Sequence, residues 1–194
     1  FPLQRVLDGI RAAEEAGFDA IKVNTVVKRG ANEDDVLGIA ERFRGTGVTV
    51  RFIEFMDVGT TNGWNLDQVV SSAEIVERID AAHPLEPLQP AYPGETATRW
   101  RYRDGAGEIG AISSVTAPFC GDCTRARISA DGKLFTCLFA SRGHDLRALL
   151  RGGCSDAELE AALAQIWGAR DDRYSELRSA DTPAERIEMS YIGG

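Results

Sequence analysis

Cys120-Gly121-Asp122-Cys123 is a C-x2-C knuckle, and Cys137 returns to it after 13 intervening residues. Two thiols at that spacing can reach one metal centre, and the third can join them only if the chain reverses between Cys123 and Cys137. Ser129-Ala130-Asp131-Gly132-Lys133 supplies the reversal. A three-residue loop with Gly132 in the left-handed region pairs Ser129 with Lys133, and counting back along both arms pairs Arg125 with Cys137. Period-two alternation then turns Cys123, Arg125 and Arg127 to one face, with Cys137 on the same side. A two-residue loop would send Cys137 to the opposite face.

Three thiols leave one coordination position to fill. A closed zinc site needs a fourth ligand, for which His144 and Cys154 are the candidates. Cys154 is better explained as a hydrophobic staple with Leu159, ahead of a helix that Ser155 and Glu158 open as a capping box. Without a fourth protein ligand the trio suits a 4Fe-4S cluster with one open iron, and two adjacent guanidiniums suit an anionic or heteroatom-rich ligand. The bland reading is three buried core thiols. Four cysteines spread this unevenly over 194 residues do not make a disulfide framework.

Composition bounds the remaining choices. With 22 Lys and Arg against 30 Asp and Glu, a formal charge of −8, the chain is not a general nucleic-acid binder. At 43% hydrophobic residues it has enough apolar material for a core, yet no run approaches the roughly 20 residues of a membrane helix. No signal segment opens the chain, so a cytoplasmic location is expected.

The first 60 residues alternate helix and strand. Leu3, Val6, Leu7, Ile10 and Ala13 form a helical stripe that Gly17 ends. A strand follows over 20–27, then a helix with Asn32 as N-cap and Val36, Ile39, Ala40 and Phe43 as its stripe, then a strand over 48–56. Connections this short predict a parallel α/β layer, the second half of a β/α barrel or open sheet. Alternation puts Lys22 and Asn24 on one side of the first strand, where they suit a barrel lumen, and Met56 at the carboxyl end of the second. Residues 61–194 read as a C-terminal α+β region. In it, Ser71 and Glu74 form a capping box, the prolines from 84 to 93 mark a linker or edge, and strands over 98–103 and 108–115 flank Asp104-Gly105.

Lys22-Val23-Asn24, Arg51-Phe52-Ile53-Glu54-Phe55-Met56-Asp57, Asn62-Gly63-Trp64, the segment from Phe119 to Arg127, Cys137-Leu138-Phe139 and Tyr191-Ile192-Gly193-Gly194 carry a specific resemblance. Together they resemble the GTP 3′,8-cyclase family of molybdenum cofactor biosynthesis, radical S-adenosylmethionine proteins. The resemblance implies an incomplete β/α barrel followed by a region holding a second 4Fe-4S cluster on Cys120, Cys123 and Cys137, its open iron facing the guanine of GTP. It implies GTP contacts from Lys22, Arg125, Ala126 and Arg127, and an S-adenosylmethionine contact from Met56. The Gly193-Gly194 tail would support catalysis, since glycine lets a backbone approach a substrate closely. The implied reaction forms (8S)-3′,8-cyclo-7,8-dihydroguanosine 5′-triphosphate, which a cyclic pyranopterin synthase uses next. A homodimer is compatible with it. The family's C-x3-C-x2-C motif, which holds the first cluster, has no counterpart in this sequence, so the chain alone is expected to be unable to start the reaction. Two other classes stay open: a zinc-ribbon-like binding module, and an auxiliary-cluster domain of another radical enzyme.

Overall fold

Leu3–Glu15 is helical (α1); of its apolar stripe Leu3 and Val6 are exposed, Leu7, Ile10 and Ala13 are half-buried, and the helix fully buries no residue. The computed structural model describes residues 2–178 and 187–192, and two units are distinguished by their internal contacts. The first comprises Phe1–Phe55 and Leu66–Ala117, the second Met56–Asn65 and Pro118–Gly194.

The first unit is built on a mixed sheet of β1 (Lys22–Val27), β2 (Thr49–Glu54), β3 (Leu85–Leu88), β4 (Thr98–Tyr102) and β5 (Glu108–Ile112), in the order β1-β2-β5-β4-β3. β1, β2 and β5 run parallel, whereas β3 and β4 add antiparallel. The short strand–helix–strand connections therefore do produce a parallel layer, and the α/β class holds. One sheet face carries Val27, Val50, Phe52 and Ile109, buried with Val36 and Ala40 of α2 (Val36–Phe43) and Ile75 and Ile79 of α3 (Ser72–Ala82). Each of the valine, isoleucine and phenylalanine side chains contributes about 1.5–3 kcal/mol through burial. Among the described residues no helix is long and apolar enough to cross a membrane.

Two local expectations change, and a third is decided between its alternatives. Asn32 does not cap a helix with its side chain. Its amide is already engaged at the end of β1, donating to the Val26 carbonyl and accepting from the Lys28 N–H. Ser71 does cap α3, accepting from the Glu74 N–H, but the Glu74 carboxylate is bonded to Arg29 and Arg78, so half of the expected box forms. The proline-rich stretch contains an edge strand, where the missing N–H of Pro87 is tolerated. The hairpin of β4 and β5 lies in the same sheet as β1 and β2.

The second unit holds a small antiparallel sheet of β6 (Arg127–Ile128), β7 (Lys133–Phe135) and β8 (His144–Asp145), with α4 (Leu146–Arg151) and α5 (Asp156–Gly168). Leu134, Phe135, Leu146 and Ile192 are buried in it. The capping box at Ser155 and Glu158 forms in full.

Candidate functional site

In the first unit, burial alternates along β1 as the sequence requires: Lys22, Asn24 and Val26 are exposed, while Val27 is buried. Asn24 lies opposite Arg51 and accepts from its Nε at 2.9 Å. Arg51 lies opposite Gly110, where an added Cβ would come within 3.0 Å of the Arg51 side chain, so glycine gives the guanidinium arm its room. Next in the row is Arg99, paired with Glu108 at 2.7 Å. Lys22 thus sits on a polar, partly basic sheet face. Strand parity reveals Lys22 and Asn24, but not the row that the parallel register adds.

In the second unit, the hairpin has the expected register. Arg127 pairs with Phe135 and Ile128 with Leu134, Ser129 N–H donates to the Lys133 carbonyl at 2.9 Å, and Gly132 has φ +82°. Continuing that register aligns Arg125 with Cys137. Alternation continues below the ladder: Cys123, Arg125 and Arg127 are half-buried, while Thr124 and Ala126 are exposed. The Arg125 guanidinium lies on the Cys123 sulfur, with Nε and Nη2 at 3.3 and 3.2 Å, and over the Phe119 ring.

Cys123 and Cys137 respond in opposite directions to their surroundings. Burial pushes the Cys123 thiol up, but bonding from the Arg125 main chain and from the Arg170 and Arg125 side chains outweighs it, and the net shift is downward. Cys137 goes the other way. Burial raises its thiol against the Phe139 N–H, with further upward pushes from Asp172, Cys120 and Cys123. Burial, then the neighbouring Arg125 charge, lowers the Arg127 guanidinium, while Cys123 and Cys137 oppose the shift. The three cysteines and two arginines are therefore electrostatic neighbours. All four cysteines are free, and Cys154 stands before the α5 cap. His144 lies in β8 opposite Leu134. Among the described residues, no three His, Cys, Asp or Glu side chains are gathered to hold a metal ion. The donor chemistry, three free cysteines with guanidiniums beside them, fits a sulfur-held group.

Residues far away in sequence complete this unit. Arg170 donates to the Cys123 carbonyl, pairs with Asp172 at 3.2 Å, and lies over the Trp167 ring. Met56, half-buried, has its carbonyl bonded by Asn62 Nδ2 at 2.9 Å. Beside it, fully buried Asp57 accepts from Tyr174 Oη at 2.6 Å and Arg178 Nε at 3.1 Å. Phe139 stacks on Tyr174 at 4.4 Å, so the turn after Cys137 is tied to the same cluster. No local spacing pointed to Arg170, Tyr174 or Arg178. Gly193 and Gly194 lie outside the described residues.

The chain comprises a mixed α/β unit with a polar, partly basic sheet face and a second unit in which a small antiparallel hairpin follows two cysteines and carries guanidiniums beside them. The family model Molybdenum Cofactor Synthesis C matches residues 48–176, and the chain belongs to that family. It is 50% identical over 219 residues to a protein named GTP 3′,8-cyclase from Acidothermus cellulolyticus, covering 100% of this chain and 60% of that protein. Proteins of the same name from Xanthomonas axonopodis pv. citri and Synechococcus sp. (strain CC9605) are 56% and 52% identical over 99% of this chain. Of their own lengths, the chain spans 57% and 56%.

Proposed function

We propose that this chain is the GTP-binding, second-cluster portion of a GTP 3′,8-cyclase acting in the cytoplasm in molybdenum cofactor biosynthesis. The observation that carries the reading is the Arg125 guanidinium on the Cys123 sulfur, beside a hairpin whose pairing, extended past Arg127 and Phe135, would align Arg125 with Cys137. Residues 1–60 form the barrel portion and 61–194 the cluster and nucleotide region. Cys120, Cys123 and Cys137 would hold a 4Fe-4S cluster, which would supply a Lewis-acidic iron for a heteroatom of the substrate.

The chain's own groups bind and orient. Arg125 and Arg127 donate to anionic and heteroatom acceptors beside the thiolates, with the main chain at Ala126 between them. Lys22 contributes a point charge for phosphate, and Met56 lines the S-adenosylmethionine site. Gly193 and Gly194 support the reaction at the substrate. Fixing GTP in one pose is their contribution to rate, by removing orientational freedom before the reaction begins. With no C-x3-C-x2-C motif in the sequence, generating the radical is not assigned to this chain.

Anaerobic reconstitution with iron and sulfide tests the reading. About four irons per chain, with an absorption spectrum perturbed by GTP, is the expected result. One zinc and no iron would instead establish a zinc-ribbon-like module, and iron without a GTP response would point to another auxiliary-cluster domain.

A further inference from the structure

The segment 187–192 is gripped at two places. At one, the Glu188 carboxylate sits in the turn that follows β2: it accepts from Thr60 N–H at 2.9 Å, from Thr60 Oγ1 at 3.2 Å and from Thr61 Oγ1 at 3.2 Å. At the other, Tyr191 Oη donates to Asp131 at 2.8 Å and accepts from Lys133 Nζ at 3.4 Å, while Ile192 is fully buried. A turn joins the two grips, with Tyr191 N–H bonded to the Glu188 carbonyl at 3.0 Å.

The first grip has the character of a built receptor. One main-chain N–H and two hydroxyls donate to a group that, ionised, can only accept. Charge-assisted bonds of this kind are stronger than neutral ones. Gly59 makes the space: its φ is +70°, and a Cβ there would lie 2.3 Å from Glu188 Oε2 and 2.7 Å from Cδ. Any other residue at 59 would occupy the place of the carboxylate. The Thr60 N–H is also the main reason that the Glu188 carboxyl is held below its ordinary range.

We propose that Glu188 is the positioning residue of the C-terminal segment, its carboxylate latched in the Gly59–Thr60–Thr61 turn. Its bearing on turnover rests on the reading that Gly193 and Gly194, which follow in the chain, support the reaction. The latch itself does not depend on that reading.

Amide hydrogen exchange at Tyr191 reads the latch directly, because that N–H is bonded to the Glu188 carbonyl. Glu188→Ala and Gly59→Ala should each accelerate this exchange by about tenfold, as local opening becomes easier, with exchange in β7 and α5 unchanged. Glu188→Gln retains an acceptor for Thr60 N–H and should stay close to the unsubstituted protein. Because both alanines remove one contact, the double variant should exchange no faster at Tyr191 than Glu188→Ala alone. Unchanged exchange in Glu188→Ala, or effects that simply add in the double variant, would overturn the latch. In the reconstituted full-length enzyme, Glu188→Ala should lower kcat with little change in KM for GTP, and Glu188→Gln should restore it. If Tyr191 exchange responds while deleting Gly193 and Gly194 leaves kcat unchanged, the latch stands and the role given to those glycines fails.

Discussion

Cys123 is held by two arginines of different origin. Arg125 is two residues away and lies on the sulfur, whereas Arg170 reaches back 47 residues to the carbonyl. Both place positive charge at a thiol that burial alone would make less acidic. Removing the Arg170 guanidinium should therefore move the Cys123 thiol up. In the metal-free protein, the pH midpoint for alkylation of Cys123 is expected to rise in Arg170→Ala and to recover largely in Arg170→Lys, which keeps the charge; mass spectrometry assigns the modified cysteine. An unchanged midpoint in Arg170→Ala would refute the electrostatic role. The two arginines also mark what a sequence can disclose at this scale. The place of Arg125 follows from a turn and a strand period, both local rules, and they suffice once Gly132 takes its positive φ. Arg170, Arg178 and Glu188 find partners 47, 121 and 128 residues away, and no periodicity connects them.

The carboxyl end of β2 shows the same limit for elements. Glu54 is fully buried, although alternation along a strand says only that it faces the core. Its carboxylate serves as a junction: Oε1 accepts from Ser72 N–H at 2.8 Å and Thr116 Oγ1 at 2.5 Å, and Oε2 from Val115 and Thr116 N–H, both at 2.8 Å. It satisfies a donor in the first turn of α3 and fixes the chain beyond β5. Glu54→Ala would leave three main-chain donors without this acceptor, each costing about 1–3 kcal/mol, so a loss of about 3 kcal/mol or more is expected in urea denaturation. Glu54→Gln should recover part of it, and a loss below about 1 kcal/mol in the alanine variant would show that water replaces the junction. The helices and strands around Glu54 were readable because their stripes and turn residues lie close together in sequence. What pattern could not supply was competition for a side chain. Glu74 has the spacing of a capping box, but two guanidiniums hold its carboxylate instead.

For the whole molecule, the net charge of −8 conceals how many carboxylates are held in the charged form. Asp131 has the largest resolved effect: bonds from Ser129, then Tyr191, and the Lys133 charge lower it from 3.8 to about 2. Glu33, Glu74, Glu158, Glu176 and Glu188 shift in the same direction. In each case the native state releases its proton more readily than the unfolded chain. Their contribution is present above the unfolded values near 4 and is lost as pH falls through the folded ones. Lys133, raised chiefly by Tyr191, and Tyr102, raised chiefly by burial, act with the opposite sign, so their contribution is present below their unfolded values and is lost as pH rises through the folded ones. Stability should therefore form a plateau with a fall on each side, and Asp131 should shape the acid limb. Urea midpoints measured from pH 7 down to pH 2 are expected to be lower for Asp131→Asn than for the unsubstituted protein at neutral pH. The two curves should converge as pH approaches about 2, where Asp131 itself becomes protonated. Because Tyr191 bonds to this carboxylate, Tyr191→Phe should show the same convergence with a smaller initial gap. Curves that stay parallel throughout would mean that Asp131 ionisation is not coupled to folding, and that the hairpin holds its loop without the charge.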